Sequence, residues 1–399
     1  MAAGALIRKL YCRSAHLWRS TLKSPKKANR IYNYLRRSIE TGKYGIGERI
    51  PTERELSTQF KMSRPTVTGA IHRLVDEGLL RRNGKAGSVV LAVPPPRTCT
   101  FGAILLMLGR QQQVESLFGF VGHELAHRAG MDQNALLLRD PSWGDDPNEP
   151  NLSIRYREIA TQFMQHKVAG VFLMPQNILP GQYVSATAAI AEDLKAAGIA
   201  VVLIDSDIIR YPQRSQFDLV GIDNFSAGYT LASHFIGLGC RKIDFLGNTA
   251  RHPTQQARVS GYLQALADHG LPSDPTAVQY GNLHSEEFVI STLRRRKPEA
   301  VLVLSDFRAA SVLRFALQAG IKTPQNLRIG SFDDLPMAAH LSVPLTTVRQ
   351  PAAGIGAAAY QIMLQRLAEP DLPPMHVQLS GELIVRESSG SARPADTRA

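Results

Sequence analysis

Short apolar runs recur along the chain beyond residue 98, and amphipathic stretches separate each run from the next. The runs are four to eight residues long, as buried strands are. Their alternation with helical stretches is typical of a doubly wound parallel sheet, and the length allows two such α/β lobes with a ligand cleft at the carboxyl ends of the strands. The predicted strands are 101–108, 134–138, 169–174, 199–205, 218–222, 242–246, 277–280, 300–305 and 328–332.

The first part of the chain follows the helical period instead. Ile31, Leu35 and Ile39 lie four residues apart and predict one apolar helical stripe, with Gly42 as the C-cap. A second helix is expected from Thr52, because the spacing Thr52-x-x-Glu55 is that of a capping box.

A third helix is predicted to begin at Ser63, a favourable N-cap residue, and to end at Gly78. Its buried stripe comprises Val67, Ala70, Ile71 and Leu74, and its outward face Thr66, Thr68, Gly69, His72 and Arg73. Residues 79–91 then predict a short hairpin. Three helices and such a hairpin make a winged helix-turn-helix, whose third helix enters the major groove of DNA.

The charge of the chain is concentrated at this end. Residues 1–97 hold 20 Lys and Arg against 6 Asp and Glu, whereas the other 302 residues have a net charge of −2. This asymmetry indicates a polyanionic partner for one end alone, so double-stranded DNA is expected. The predicted organisation is a basic extension, a winged helix-turn-helix, a Pro-rich linker, an effector-binding domain and a disordered tail, at 1–25, 26–93, 94–98, 99–390 and 391–399.

Motifs in the predicted head resemble those of GntR-family transcription factors. They are Gly42-x-x-Gly45-x-Gly47-x-x-Ile50-Pro51-Thr52-Glu53-Arg54-Glu55-Leu56, Met62-Ser63-Arg64-x-Thr66-Val67 and Glu77-Gly78-Leu79. Together with the outward helix face and the wing, the resemblance implies these DNA-contacting residues: Thr52, Arg54, Ser63, Arg64, Thr66, Thr68, Arg73, Lys85 and Gly87. Many members have Arg where this chain has Thr68, and Thr cannot make the bidentate guanine contact of Arg, so a different operator is expected.

Later motifs resemble the effector domain of the LacI/GalR family, which is related to periplasmic sugar-binding proteins. They include Val220-Gly221-Ile222-Asp223-Asn224, Arg258-x-x-Gly261-Tyr262, Leu304-Ser305-Asp306, Gly330-Ser331-Phe332-Asp333-Asp334 and Leu345-Thr346-Thr347-Val348-x-Gln350-Pro351. A GntR-type head on such a body is similar to the arabinose repressor group. The resemblance implies a small-molecule effector, most simply a sugar or sugar derivative, that relieves repression.

The same resemblance supplies the candidate effector-binding residues. Arg258 is implied to hydrogen-bond the ligand in the cleft, and Asp333 to accept bonds from its hydroxyls, while Ser305 and Asp306 stand where relatives often have Asn-Asp. Ionised Asp and bidentate Arg are also the strongest side-chain partners for paired hydroxyls. Ser116 is a further candidate, from a loop that departs from the family pattern.

Aromatic rings that could stack on a sugar are Phe118, Trp143 and Phe307, with ordinary packing as the alternative.

The segment His123-Glu124-Leu125-Ala126-His127 has the H-E-x-x-H spacing of zinc proteases. On a helix, however, the apolar neighbours occupy the opposite face and leave both histidines to solvent, and no third ligand follows at a suitable spacing. We therefore expect no metal, no cofactor and no catalytic site. A zinc-dependent hydrolase and a sugar-binding transport component are the alternatives.

Cysteine usage and hydropathy limit the setting. Three cysteines match neither a metal site nor a disulfide framework, and no apolar run approaches a transmembrane length. Residues 1–24 superficially resemble a transit peptide, but a disordered basic arm or an upstream start codon is the preferred interpretation. The sequence thus predicts a cytoplasmic regulator, active as a homodimer on a palindromic operator.

Overall fold

The computed structural model separates the chain into two compact units. We call the described residues 26–92 of the first unit the head, and the described residues of the second unit, within 98–367 and 371–390, the body. The described residues are 26–40, 42–84, 87–92, 98–106, 116–141, 152–176, 184–249 and 252–390. The predicted basic extension, most of the predicted linker, and the tail lie outside them, as do Lys85 and Trp143.

The head consists of three helices and a hairpin. The elements are α1 (Lys26–Glu40), α2 (Glu53–Phe60), α3 (Arg64–Asp76), β1 (Leu80–Arg82) and β2 (Ser88–Val90). The predicted stripes of α1 and α3 form its core, in which Ile31, Leu35 and Leu74 are fully buried. One feature was not predicted: the segment before α2 runs beside β2, with Arg49 bridging Val89 in antiparallel fashion.

Two polar contacts join α1 to Glu77, the residue that caps the C-terminus of α3. Tyr32 donates its hydroxyl proton to Glu77 at 2.6 Å, and Arg36 pairs with the same carboxylate at 2.8 Å. A charged hydrogen bond of this kind stabilises by more than a neutral one, because the acceptor carries a full charge.

The body contains two sheets, each covered by helices. Its helices are α4 (Leu117–Met131), α5 (Leu152–Gln165), α6 (Ala188–Ala196), α7 (Asn224–Gly237), α8 (Pro253–Asp268), α9 (Glu286–Arg296), α10 (Asp306–Gln318) and α11 (Ala352–Ala368). Its strands are β3 (Thr100–Ile104), β4 (Ala135–Arg139), β5 (Gly170–Leu173), β6 (Ala200–Ile204), β7 (Asp218–Ile222), β8 (Ile243–Gly247), β9 (Val278–Tyr280), β10 (Ala300–Val303), β11 (Arg328–Asp333), β12 (Thr346–Arg349), β13 (His376–Leu379) and β14 (Glu382–Ile384).

The strand order defines two lobes. The sheet of the first lobe has the order β13-β7-β6-β5-β3-β4 and is parallel throughout. The sheet of the second lobe has the order β14-β12-β11-β10-β8-β9, in which only β14 is antiparallel to its neighbour. The two-lobed α/β prediction is confirmed, and each predicted strand coincides with an observed one.

The strands that sequence reasoning missed are β12, β13 and β14, which connect the lobes. The chain passes from one lobe to the other after β7, after β12 and after β13. These crossings lie side by side, since the Asp223 N–H donates to the Leu379 carbonyl and a Cβ at Gly381 would meet Ile222 and the Arg349 carbonyl. They form the hinge of the body.

Within the described residues, no helix is both long and apolar enough to cross a membrane.

Candidate functional site

The head presents its candidate DNA contacts from the start of α2 and the start of α3. Thr52 accepts a hydrogen bond from the Glu55 N–H, and the Glu55 carboxylate accepts one from the Thr52 N–H at 2.7 Å, which confirms the capping box. These bonds hold the carboxylate ionised and lower the pKa of Glu55. The cap fixes the first turn of α2, on which Arg54 is exposed.

Arg54 and Arg64 carry exposed positive charge at these helix starts. Neither has an ion pair among the residues that the structure describes, so both are free to meet an anion. The Ser63 and Thr66 hydroxyls lie 2.8 Å apart beside Arg64. This combination of cation and hydroxyls suits contacts with phosphate oxygens and base edges.

Ser63 does not cap α3 with its side chain, contrary to prediction. It occupies the N-cap position, but its hydroxyl pairs with that of Thr66 instead of the helix N–H groups.

Thr68 and Arg73 were predicted to face outward, but both are half-buried and bonded to other residues of the head. Thr68 donates to the Glu53 carboxylate at 2.7 Å, because α2 and α3 pack closely enough for the two side chains to meet. Arg73 donates to Asn29 at 2.7 Å and its guanidinium stands 4.0 Å from the centre of the Tyr32 ring. Both residues therefore hold the helices of the head together.

The wing is the hairpin of β1 and β2. Gly87 at its turn has φ of +90°, a conformation that favours glycine. Arg82 of β1 pairs with Glu53 at 2.8 Å and so ties the wing to the start of α2.

In the body, Arg258 lies on α8 at the close contact with α7. A Cβ at Gly228 would stand 2.0 Å from the Arg258 carbonyl, and one at Gly261 would stand 1.9 Å from the Phe225 carbonyl. Only glycine at both positions lets the two helices approach this closely. The Arg258-x-x-Gly261 motif thus positions the arginine through backbone packing.

The Arg258 side chain is buried, with 5% of its surface exposed. Its Nε donates to Asn224 at 2.8 Å, its Nη1 donates to the Leu304 carbonyl at 2.7 Å, and its guanidinium stands 4.5 Å from the centre of the Phe332 ring. Burial lowers the pKa of Arg258, whereas Asp333, Asp205 and Asp306 raise it. The guanidinium is therefore rigidly placed among carboxylates.

Asp333 ends β11 with φ of +119°, a backbone conformation that non-glycine residues rarely adopt. Its Oδ1 accepts a hydrogen bond from the Gln350 amide at 2.7 Å, and Gln350 belongs to the hinge after β12. Burial raises the pKa of Asp333 to about 7, although Arg258 lowers it. The Gln350 amide oxygen is buried and has no partner among the described residues.

The first lobe contributes Asp205, which follows β6 and also has positive φ, +72°. Burial raises the pKa of Asp205 to about 6, and Arg258 of the second lobe lowers it. Arg258 is thus within electrostatic reach of carboxylates from both lobes.

Asp306 and Ser305 were predicted to bind the effector, but the structure gives Asp306 partners within the protein and places Ser305 at a helix start. Asp306 is fully buried, and its carboxylate accepts bonds from the Ser331 and Thr347 hydroxyls and from the Leu335 N–H. Because these donors surround it, Asp306 braces β11 and β12 and has little capacity left for a ligand. Ser305 is half-buried at the N-cap position of α10 and makes no capping bond there.

The remaining effector candidates lie apart from this cluster or pack in the lobes. Ser116 caps α4, since its hydroxyl accepts from the Gly119 N–H at 3.1 Å. Phe118 packs against the core of the first lobe, and Phe307 sets its edge against His284 with ring centres 5.4 Å apart. Stacking on a ligand stays a prediction for Phe307.

The H-E-x-x-H segment lies on α4 with both histidines exposed. Leu117, Val121 and Leu125 are buried on the other face. Glu124 pairs with Arg128 at 2.6 Å, so it is engaged along its own helix. Among the described residues, no cluster of three or more His, Cys, Asp or Glu could hold a metal ion.

Sequence reasoning missed Asp205, Gln350 and Asn224. A signal existed for Asp205, because a carboxylate directly follows the apolar run of a parallel strand, where ligand-binding residues gather. Gln350 stood within a recognised motif without an assigned role. Asn224 also stood within a recognised motif without an assigned role, because its contact with Arg258 depends on the packing of α7 against α8.

Comparisons with known proteins agree with the two units. Residues 27–90 match the gntR family of bacterial regulatory proteins, and residues 232–389 match the periplasmic binding protein-like domain. The HTH-type transcriptional regulator MalR of Streptomyces coelicolor is 29% identical over 207 residues, which are 50% of this chain and 59% of MalR. The chain therefore spans little more than half of that relative.

Solved structures share the fold. The transcription regulator CcpA of Lactococcus lactis superimposes with a TM-score of 0.61 at 22% identity, over 73% of this chain and 99% of CcpA. The regulator CelR in complex with cellobiose superimposes with a TM-score of 0.60 at 20% identity, over 85% of this chain and all of that structure. The head of this chain thus matches the gntR family, and its body contains the match to the periplasmic binding protein-like domain.

Proposed function

We propose that this chain, in which a GntR-type head precedes a periplasmic binding protein-like body, is a transcriptional regulator whose binding to an operator is controlled by a small molecule. The observation that carries the proposal is the union of two sites in one chain. One is an exposed basic helix start in a winged helix-turn-helix, and the other is a buried Arg258–Asp333 cluster between two lobes. Relatives that are HTH-type transcriptional regulators support it.

The head reads the operator with α3 in the major groove. Arg64 and Thr66 contact base edges or phosphates at the start of that helix, Arg54 contacts phosphate from α2, and the wing follows the backbone. Lys85 is the proposed phosphate contact of the wing. A homodimer would match a two-fold operator, and a regulator of this kind acts in the cytoplasm.

The body binds a carbohydrate effector between its lobes. Arg258 donates to ligand hydroxyls through the part of its guanidinium that faces the cleft, while Asp333 and Asp205 accept from them. The cellobiose complex of a regulator with this fold supports a sugar as ligand. Hydroxyls that reach Asp205 and Asp333 together connect the two lobes and favour the closed state.

The hinge transmits that closure. Asp333, which contacts the ligand in this proposal, is bonded to Gln350 of the hinge, so the ligand and the crossing strands share one hydrogen-bond network. Closure then changes how the heads are presented to DNA, and the direction proposed from the family resemblance is release of the operator.

A zinc hydrolase is the rival function, and the geometry of α4 favours the regulator. Both histidines are exposed and Glu124 is paired with Arg128. The chain is proposed to have no catalytic activity.

The proposal is tested with purified full-length protein and a library of random duplexes. We expect selection of a palindromic sequence and loss of its binding upon addition of a sugar found by a thermal-shift screen. Failure to enrich any duplex at low salt would overturn the DNA-binding half, and enrichment without any response to stabilising sugars would overturn the effector half.

A further inference from the structure

The turn that ends β11 has an unfavourable backbone. Its two consecutive residues, Asp333 and Asp334, have φ of +119° and +56°. Neither is a glycine, so this conformation costs free energy and persists only where the surroundings fix it. Asp333 is the proposed acceptor for effector hydroxyls. Whatever holds the turn therefore also determines where the Asp333 carboxylate lies.

Two arginines hold the second residue of the turn. The Asp334 side chain is buried, with 5% of its surface exposed. Its Oδ2 accepts a hydrogen bond from the Nε of Arg349 at 2.7 Å, and its Oδ1 lies 2.7 Å from the Nη2 of Arg386. A buried carboxylate needs cations or donors in place of the water it has lost. The two guanidiniums thus fix the side chain of Asp334 and, with it, the turn.

The two arginines differ in their other contacts. Arg386 follows β14, and its backbone N–H donates to the Thr346 hydroxyl at 2.8 Å, so it belongs to the frame of the second sheet. Arg349 ends β12, with 48% of its side chain exposed, and its other ion pair is with the exposed Glu382 at 3.1 Å. Arg349 is therefore the partner of Asp334 that can be replaced without opening the core.

The strand register places Arg349 beside the candidate site. Arg349 is opposite Asp333 in the pairing of β11 with β12, and opposite Glu382 in the pairing of β12 with β14. The next residue along the chain, Gln350 of the hinge, donates to the Asp333 carboxylate at 2.7 Å. Two neighbouring residues therefore hold the two residues of the turn, Gln350 holding Asp333 and Arg349 holding Asp334.

We infer that Arg349 is a positioning residue of the effector site: its ion pair with Asp334 holds the turn in the conformation that presents the Asp333 carboxylate to the cleft. This inference rests on the proposed function for the role of Asp333 as a ligand acceptor. Without Arg349, the Asp334 carboxylate keeps one of its two cations, and the turn relaxes towards a backbone of negative φ. The Asp333 carboxyl then leaves its place beside Gln350 and becomes more exposed to water.

The test follows the titration of Asp333 in the full-length protein and needs neither effector nor DNA. Carbon-13 NMR of the aspartate carboxyls, assigned with Asp333→Asn, reports the pKa of Asp333, which burial raises to about 7. The other groups that act on this pKa are Arg258, Asp306, Gln350 and Asp205. In Arg349→Gln we expect the midpoint to lie at least about one pH unit lower, because a carboxyl that reaches water approaches the ordinary aspartate pKa of about 4.

The direction of the change separates positioning from a simple effect of charge. Removing a nearby positive charge disfavours a carboxylate and would raise the pKa of Asp333, whereas greater exposure lowers it. Arg349→Lys keeps a cation for Asp334, so its midpoint should lie close to that of wild type. Arg294→Gln removes an exposed arginine from α9 of the same lobe and should leave the midpoint unchanged. A midpoint in Arg349→Gln that equals or exceeds the wild-type value would overturn the inference.

A double variant tests the route through Asp334. Asp334→Asn should lower the midpoint of Asp333 at least as far as Arg349→Gln does, and the combined variant should match Asp334→Asn alone, since both changes remove the same ion pair. Reductions that add would show that Arg349 acts on Asp333 without Asp334 and would overturn the proposed route. All titrations are made well below the melting temperature of the least stable variant, so that only folded protein is measured.

Failure of this inference and failure of the proposed function are distinguishable. An unchanged titration in Arg349→Gln overturns the positioning role and leaves a ligand-controlled regulator standing. A titration that changes as expected, in a protein whose operator affinity responds to no sugar of the thermal-shift screen, overturns the effector half of the proposed function. The hold of Arg349 on the turn would then still stand.

Discussion

The head and the body place their candidate functional arginines in opposite environments. Arg64 and Arg54 of the head are exposed and have no ion pair among the described residues, whereas Arg258 of the body is buried and makes two hydrogen bonds within the protein. An exposed cation is available to a large partner that brings its own charge, such as a nucleic acid. A buried, pre-oriented cation instead suits a small ligand that enters a cleft, because little reorganisation is needed on binding. The difference predicts that substitutions in the two regions act differently on stability and on binding.

The largest effect is expected where the body relies on backbone contact. Gly261→Ala would place a Cβ 1.9 Å from the Phe225 carbonyl, so α7 and α8 must separate. Overpacking of this kind costs about 1–3 kcal/mol or more in the free energy of unfolding. Thermal denaturation measures the cost, and Gly237→Ala, where a Cβ meets nothing within 4 Å, is the control on α7. Equal melting temperatures for the two variants would refute this packing argument.

An exposed arginine of the head should affect binding without affecting folding. Arg64→Ala is expected to cost about 1–3 kcal/mol of operator affinity and to weaken sequence discrimination, with the melting temperature unchanged. Lys85→Ala should instead weaken all duplexes alike and reduce the salt dependence of binding, as expected for a phosphate contact. Fluorescence anisotropy at several salt concentrations separates the two. A uniform loss over all sequences for Arg64→Ala would reassign it as a phosphate contact.

Thr68 sharpens the comparison, because it belongs to the head but, like Arg258 of the body, it is bonded within the protein. Thr68→Val removes the hydrogen bond to Glu53 and should cost about 1 kcal/mol in stability. We expect its operator affinity to match wild type when both are measured well below the melting temperature. A loss of affinity with unchanged stability would restore Thr68 to the DNA-contacting set.

The buried carboxylates of the body should give stability a pH dependence. Burial raises the pKa of Asp333 to about 7, so the folded state holds its proton more tightly than the unfolded chain does. The contribution of Asp333 to the free energy of unfolding is therefore most favourable at acidic pH, and it is lost as pH rises through about 7. Asp333→Asn keeps the acceptor for Gln350 and should gain in melting temperature relative to wild type as pH rises from 5 to 8. A difference in melting temperature between Asp333→Asn and wild type that stays constant from pH 5 to 8 would contradict the raised pKa of Asp333.

The smallest effect is expected on α4. His123→Ala combined with His127→Ala should leave folding and operator affinity nearly unchanged, because both side chains are exposed. Metal analysis of purified protein should find no stoichiometric zinc. One tightly held zinc per chain that disappears in the double variant would support the hydrolase instead.

Periodicity and spacing predicted most of the fold, because strands and helix stripes are local patterns. Val67, Ala70, Ile71 and Leu74 were identified as buried from the helical period alone, and they are buried. β13 was missed because it pairs with β7, which lies more than 150 residues earlier in the chain. Local patterns carry no information on such a pairing.

The sites show the same limit at the level of side chains. Arg258 and Asp333 were suggested by motifs, and the structure brings both within electrostatic reach of each other. Asp306 stood in an equally good motif, yet its carboxylate is used by Ser331, Thr347 and the Leu335 N–H. Which carboxylate remains available depends on neighbours from β11, from β12 and from the segment after β11, and a motif does not specify them.

The central claim, that a ligand in the body controls DNA binding by the head, is tested most directly by operator affinity measured with and without the identified effector. Wild type should lose affinity in the presence of effector. Arg258→Ala and Asp333→Asn should bind the operator as wild type does without effector and should show a response at least about tenfold weaker, since each removes a charged ligand contact. A response to effector that is unchanged in both variants would contradict the account.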